Sequence, residues 1–276
     1  MKILTALQVR LTEGEQARVS VKGTDNLEAY LKVLQGREHI YHLTREGNVI
    51  GRQMCEEAIA LDPEYARTYW LLSLIHQSDL FLGVSKNPSQ SMTKIKGLIQ
   101  KALALDKSSA EAHQALCFLY TMLRQYEKGI AEGERAVGLD PNSANSHSML
   151  GTSFHFAGRY EQAIASLNKA IRLNPIPPAN YFLFLGNAYQ LAGMYKESIV
   201  AYKKVLNRNP DHLFAHMRLA ATYILIDREE EARIEASGVL RIDPKFSIEH
   251  FAKTVPYKKQ ADLELLVSSL RKAGLK

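Results

Sequence analysis

Large apolar, small and polar residues alternate with a period of about 34 residues through the C-terminal part of the chain. Prolines mark the period, since Pro141, Pro175, Pro210 and Pro244 are 34, 35 and 34 residues apart. Between the marks, apolar residues recur at steps of three and four, which predicts two amphipathic helices per period. Each proline follows the second helix and cannot continue it. The pattern therefore predicts a helix-turn-helix unit that recurs along the chain.

Small residues occupy fixed places in each unit, next to large ones. The eighth position of the first helix is small in four successive units, where it is Cys117, Gly151, Gly186 and Ala220. Small side chains let two helices approach closely, while large neighbours fill the space between them. We expect each unit to bury its apolar face by stacking on the next one.

These residues and this spacing resemble the tetratricopeptide repeat. The resemblance implies an all-α protein, a right-handed α-solenoid of about six helix pairs with a C-terminal capping helix, and a role in protein binding. The predicted parts are an N-terminal lead-in at 1–26, a degenerate pair at 27–63, an expanded unit at 64–107, regular units at 108–141, 142–175, 176–210 and 211–244, and capping helices at 245–276.

The expanded unit carries ten extra residues, because Pro63 and its counterpart Lys107 are 44 residues apart. The extra residues fall around Ser78 to Ser91, so we expect a longer first helix and a loop that starts near Ser85. Four apolar residues in this stretch either cover the end of the neighbouring pair, which we favour, or form an exposed lip that binds a partner. They are Leu80, Phe81, Leu82 and Val84.

Composition and charge narrow the functional classes. The net charge of +6 comes from basic residues scattered among acids, as in Arg228 to Glu231, which favours a solvated helical surface over nucleic-acid binding. No apolar run approaches the roughly 18 residues of a membrane span, and Met1 to Leu4 lack the apolar core of a secretory signal. We therefore expect a cytoplasmic chain in which Cys55 and Cys117 are buried free thiols.

Catalytic motifs are missing from the sequence. It has no glycine-rich phosphate loop, no His-Glu-x-x-His and no Cys-x-x-Cys. His113, His147 and His216 occupy the fourth position of three different units, too far apart to share a metal ion. We expect no catalytic residue, no cofactor and no metal.

Both ends of the chain carry a second resemblance. The segments Leu11 to Arg18, Lys22 to Leu31 and Leu34 to Glu38 resemble the segment that joins a TolB-like domain to the C-terminal tetratricopeptide array in bacterial multidomain class III adenylate cyclases. Phe246 to Lys258 and Ala261 to Leu275 resemble the C-terminus of the same proteins. This resemblance implies a region that follows a cyclase domain. The helical period leaves no room for that domain here, so we expect a regulatory scaffold without chemistry of its own.

The resemblance to the tetratricopeptide repeat also implies where a partner binds. Members of that family bind partners on a concave face lined by the first helix of each unit. Positions 2, 5, 9 and 12 of those helices share that side. Together with Arg218 at position 6, the predicted groove residues are Gln114, Phe118, Asn145, Ser148, Thr152, His155, Asn180, Leu183, Asn187, Gln190, Phe214 and Met217. Family members that capture an acidic C-terminus use two lysines that are absent here. We expect a protein or peptide partner, with self-association as the alternative and nucleic acid less favoured.

Overall fold

The computed structural model describes residues 23–40, 44–81, 84–85 and 87–276, and the described residues form 14 helices and no strand. Most of the lead-in predicted at 1–26, and Leu82 of the apolar stretch in the expanded unit, lie outside the described residues. The helices are α1 (Leu27–Ile40), α2 (Arg45–Leu61), α3 (Ala66–Phe81), α4 (Pro88–Leu105), α5 (Ala110–Met122), α6 (Tyr126–Leu139), α7 (Ala144–Phe156), α8 (Tyr160–Leu173), α9 (Ala179–Leu191), α10 (Tyr195–Leu206), α11 (Leu213–Leu225), α12 (Glu229–Ile242), α13 (Ile248–Thr254) and α14 (Gln260–Lys272).

The chain divides into two compact units at the boundary between Ala115 and Leu116, which lies in the sequence of α5. In the first unit α1 packs on α2, α2 on α3, and α3 on α4. Its interior holds Cys55, Leu71, Ile75, Ile95 and Ile99, all fully buried.

The expanded unit lengthens both of its helices. Helix α3 has 16 residues where α5 has 13, as predicted, and α4 has 18 where α8 has 14, which was not predicted from the sequence. Helix α4 begins early because the Asn87 side chain accepts a hydrogen bond from the Gln90 amide and Pro88 occupies the first turn. Val84 is half-buried.

In the second unit, residues 116–276, consecutive helices pack in pairs and the pairs stack on one another. Helices α7 and α8, α9 and α10, and α11 and α12 form the pairs, while α8 contacts α9 and α10 contacts α11. The paired helices approach closely, because a Cβ atom on Gly151 would lie 2.7 Å from Leu167 Cγ and one on Gly186 would lie 2.5 Å from Tyr202 Cε1. The steric interpretation of the small positions is confirmed.

A left-handed residue ends the first helix of each pair in this unit. Arg124, Gly158, Gly193 and Asp227 have φ angles of 59°, 78°, 77° and 58°. The amide that follows each one donates to a carbonyl five residues earlier, as in the 2.9 Å bond from Arg159 N to Phe154 O. This is the Schellman arrangement, which satisfies carbonyls that the helix end would leave unpaired.

The last two helices close the second unit. Ile248, Phe251, Leu266 and Leu270 are buried in its apolar core, and the Ile248 amide donates to the carbonyl of Lys276 over 2.9 Å. Helix α14 packs on α11, the first helix of the last pair. The chain between α13 and α14, Val255–Lys259, is therefore carried onto the face of the first helices. We call it the C-terminal segment.

Candidate peptide-binding groove

The predicted groove residues differ widely in exposure. Gln114 lies in the first unit and is half-buried. In the second unit Asn145 and Asn180 are exposed and Phe118 and Phe214 are half-buried. The remaining eight are buried: Ser148, Thr152, His155, Leu183, Asn187, Gln190, Met217 and Arg218.

Several of the buried polar groups bond to neighbouring helices. Asn187 Oδ1 accepts a 2.9 Å hydrogen bond from the Tyr202 hydroxyl of α10. Gln190 Nε2 donates over 2.7 Å to the Thr222 hydroxyl of α11. An unpaired buried polar group is costly, so these bonds favour the one arrangement of the helices in which both groups are paired. The two side chains therefore join neighbouring helices as well as lining the surface.

The C-terminal segment lies on this face with an extended backbone at both ends. Val255 has φ −84° and ψ 131°, and Lys259 has φ −88° and ψ 118°. Arg124 reaches two of its carbonyls, with Nη2 3.1 Å from Val255 O and Nη1 3.0 Å from Tyr257 O. One guanidinium thus bonds alternate peptide groups, as a planar fork of donors can.

Two further main-chain bonds complete the hold on the segment. The Tyr126 hydroxyl donates to Pro256 O over 3.1 Å, and the Lys258 amide donates to Phe156 O over 2.9 Å. Four consecutive residues of the segment are therefore bound through their backbone. Such bonds do not depend on the sequence of the bound segment.

The Tyr257 side chain fills a pocket formed by His155, Phe156 and Arg218, which we call the Tyr257 pocket. The ring centroid of Tyr257 lies 5.5 Å from that of His155 and 5.4 Å from that of Phe156, both edge-to-face. The Tyr257 hydroxyl accepts a 2.6 Å hydrogen bond from Arg218 Nη2. The pocket therefore contacts both the ring and the hydroxyl.

His155 is a neutral, fully buried member of this pocket. Among the described residues neither of its ring nitrogens has a hydrogen-bond partner. Burial, and secondarily the charge of Arg218, lower the pKa of His155 to about 3. The imidazole acts here as an aromatic wall.

Acidic and aromatic groups receive the two lysines that follow Tyr257. Lys258 Nζ lies 3.1 Å from Glu127 Oε1, and its hydrogen bond lowers the pKa of that carboxyl. Lys259 Nζ lies 4.7 Å from the ring centroid of Tyr160. The surface next to the Tyr257 pocket is thus suited to basic residues.

Sequence reasoning missed Arg124, Tyr126 and Phe156, and it treated Tyr257 only as part of a cap. One signal was available for Arg124, since the equivalent turn position is glycine in the next two units, Gly158 and Gly193. An arginine held in a conformation that glycine prefers indicates a second role for its side chain.

The two cysteines are free and buried, as predicted. Burial raises the pKa of both thiols to about 12. Cys117 Sγ lies 3.0 Å from the Ser153 hydroxyl, between α5 and α7. Thiols this difficult to ionise are core residues rather than nucleophiles.

Residues 144–177 and 179–212 match the family model of the tetratricopeptide repeat. These two segments are tetratricopeptide repeats, and the resemblance drawn from the period is confirmed. They cover α7 to α10, the helices at the centre of the second unit.

Solved structures with this arrangement include the Cut9–Hcn1 hetero-tetramer of APC/C, with a TM-score of 0.64 and 17% identity over 93% of this chain and 46% of that one. Another is PilW, a type IV pilus biogenesis factor, with a TM-score of 0.58 and 16% identity over 75% of this chain and 88% of that one. At these identities the likeness shows the fold alone, an all-α solenoid of helix pairs.

A curated relative is a putative adenylate cyclase of Rhizobium meliloti, 33% identical over 126 residues. The match covers 46% of this chain and 22% of the relative. The chain therefore spans about a fifth of the length of the curated relative it matches.

Proposed function

We propose that this chain is a non-catalytic protein-interaction scaffold whose second unit binds an extended partner segment on the face of its first helices. The observation that supports it is the C-terminal segment, whose carbonyls are bonded by Arg124 and Tyr126 and whose Lys258 amide is bonded by Phe156. Main-chain bonds of this kind supply affinity for any extended peptide, and side-chain pockets add specificity.

The surface beyond the C-terminal segment offers further contacts. Asn180 is exposed on α9, and Asn145 is exposed on α7, where its Oδ1 accepts a hydrogen bond from the Tyr181 hydroxyl and its amide nitrogen is a donor group; Phe118 and Phe214 are half-buried on α5 and α11. Amides that bond a backbone, next to aromatic rings that take apolar side chains, suit a peptide partner. No helix among the described residues is long and apolar enough to cross a membrane. The unpaired cysteines favour a reducing compartment, the cytoplasm.

Photo-crosslinking tests the proposed surface. A benzophenone amino acid placed at Asn180, on the first-helix face, should crosslink peptides from a displayed random library. The matched control carries it at Ile234, which is 69% exposed on α12, a second helix. We expect crosslinks from position 180 and none above background from position 234. The reverse result would contradict the proposal.

The similarity to a cyclase makes a regulatory role in a longer protein part of the proposal. The purified chain with ATP and Mg²⁺ or Mn²⁺ should form no cyclic AMP, because metal-assisted cyclisation needs a carboxylate pair on a catalytic domain. Turnover that survives repurification would refute the scaffold role. The alternative, a homotypic module that brings linked catalytic domains together, predicts a dimer in light scattering.

A further inference from the structure

We infer that the Tyr257 pocket recognises a tyrosine preceded by proline and followed by lysine, and that the C-terminal segment is an internal ligand displaced by a partner segment of the same chemistry. This inference rests on the proposed function, because it names the kind of segment that the face of the first helices binds.

The pocket selects tyrosine through both parts of the side chain. The ring packs on His155 and Phe156, and the hydroxyl accepts the hydrogen bond from Arg218, a residue only 4% exposed. A phenylalanine would leave this buried guanidinium donor without its partner. A site that hydrogen-bonds a hydroxyl in this way discriminates strongly against the analogue that lacks it.

Proline fits the position before the tyrosine because the surface presents a hydrogen-bond donor to its carbonyl and no acceptor to its backbone nitrogen. The carbonyl of Pro256 is bonded by the Tyr126 hydroxyl, while the amide that the surface bonds belongs to Lys258. Proline has no amide hydrogen to leave unpaired, and its fixed φ favours the extended form before binding. Glu127 and Tyr160 then receive the two lysines.

The segment is anchored separately from the helices on either side of it. Helices α13 and α14 are held by buried apolar residues, Ile248 and Phe251 on one and Leu266 and Leu270 on the other. The segment itself is held by the buried residues Pro256 and Tyr257, by main-chain hydrogen bonds and by an ion pair in which Lys258 and Glu127 are 47% and 63% exposed. A competing peptide with the same residues can replace each of these contacts, and an exposed ion pair of this kind contributes little to holding the segment in place.

A labelled synthetic peptide with the sequence of Lys253–Gln260 tests the inference by fluorescence anisotropy against the full chain. In wild type the pocket is occupied, so binding should be weak. The Tyr257→Ala variant empties the pocket and should bind the peptide at least tenfold more tightly. A peptide with alanine in place of its tyrosine should bind the variant at least tenfold more weakly than the parent peptide. Equal affinity for wild type and variant, or for the two peptides, would overturn the inference.

A test variant and its matched control show whether the peptide binds where the C-terminal segment lies. Arg124→Gly in the Tyr257→Ala background should weaken peptide binding, while Asp227→Gly should not. Both replace a left-handed residue by glycine at the same place in their units, but of the two residues it is Arg124 that bonds the C-terminal segment. Equal weakening by the two changes would contradict the assignment.

Wild type provides a measurement that does not depend on a variant folding. At saturating peptide the Lys258 amide should lose its bond to Phe156 and exchange its hydrogen faster; unchanged protection overturns the inference. A wild-type dimer that becomes monomeric in Tyr257→Ala also overturns it, because the segment would then bind a second copy.

The crosslinking and peptide experiments together separate the inference from the proposed function. If position 180 crosslinks library peptides while this peptide never binds, the proposed function stands and the inference fails. Peptide binding without crosslinks from position 180 would support recognition by the Tyr257 pocket and contradict the wider groove of the proposed function.

Discussion

Two regions of the second unit are built on different principles, the interior between paired helices and the surface beneath the C-terminal segment. The interior is apolar and repeats from unit to unit, as where Gly151 meets Leu167 and Gly186 meets Tyr202. The surface bonds the C-terminal segment through Arg124 and Arg218, which have no counterpart in the other units, and through Tyr126, whose position is also tyrosine in the next two units. The period of the sequence therefore encodes the packing, while recognition combines a repeated tyrosine with two arginines that depart from the period.

The largest effect should come from filling the interior. Gly186→Leu adds a side chain where Tyr202 already lies 2.5 Å from the first added atom, and we expect a loss of about 3 kcal/mol in the free energy of unfolding. The loss should spread to the neighbouring pairs, because the array is quasi-one-dimensional. Urea unfolding followed by circular dichroism measures it.

Gly138→Leu is the matched control for that change. It also lies within a helix, the second of its unit, but nothing stands within 4 Å of the atom it would add. We expect no loss of stability there, and a gain of about 0.5 to 1 kcal/mol from helix propensity. Equal losses at both positions would show that close approach of the paired helices is not what the small residues provide.

Acid should lower the free energy of unfolding through His155, which lines the Tyr257 pocket. Its pKa is about 3 in the folded chain and 6.5 ordinarily, so below pH 6.5 the unfolded chain binds a proton that the folded chain does not. The stabilisation is complete above pH 6.5 and falls by about 1.4 kcal/mol per pH unit as the pH drops towards 3. The contribution of His155 should therefore make the free energy of unfolding about 2 to 3 kcal/mol lower at pH 4.5 than at pH 7. Equilibrium unfolding at the two pH values measures the difference.

His155→Phe separates this contribution from the other titrations. Both ring nitrogens lack partners among the described residues, so phenylalanine keeps the aromatic wall and removes the proton site. Burial also lowers the pKa of His76 and His212, and their part of the acid dependence should persist in the variant. An unchanged pH dependence in His155→Phe would refute the prediction.

A smaller effect is expected from Tyr257→Phe, which keeps the ring and removes the acceptor for Arg218. We expect a loss of about 1 to 2 kcal/mol, because a buried charged donor is left unsatisfied. Thermal or urea unfolding measures it, and Tyr195→Phe at the start of α10 serves as the control. A loss no greater than that of the control would show that the hydroxyl contributes nothing to the pocket.

Arg124→Gly should change the stability least, by about 0.5 kcal/mol or less, since relief of the left-handed backbone offsets the loss of one exposed and one partly buried hydrogen bond. Its effect should appear instead as faster hydrogen exchange at the Lys258 amide. Asp227→Gly gains the same backbone relief and should leave that exchange rate unchanged. Equal exchange rates in the two variants would mean that Arg124 does not hold the segment.

The sequence was sufficient for the all-helical repeat fold and for the small residues between helices, because these features repeat. It did not reveal the role of Tyr257, which lies in a tail that has no counterpart in the other units. The predicted face also included Asn187 and Gln190, but their amides bond Tyr202 and Thr222. Spacing within one helix identifies a face, and only the neighbouring helices decide which groups on it are already engaged.

The C-terminal segment also fixes how many repeats the second unit can contain. It bonds Arg124 and Tyr126 before α7, the Phe156 carbonyl at the end of α7 and Arg218 on α11. Duplicating or deleting one repeat between Phe156 and Arg218 would preserve the kind of contact each helix makes with its neighbours, yet it would change the distance between the two walls of the Tyr257 pocket. The segment therefore constrains the number of repeats between Phe156 and Arg218. A gain or loss of one repeat, the usual way in which repeat arrays change length, would disrupt the Tyr257 pocket.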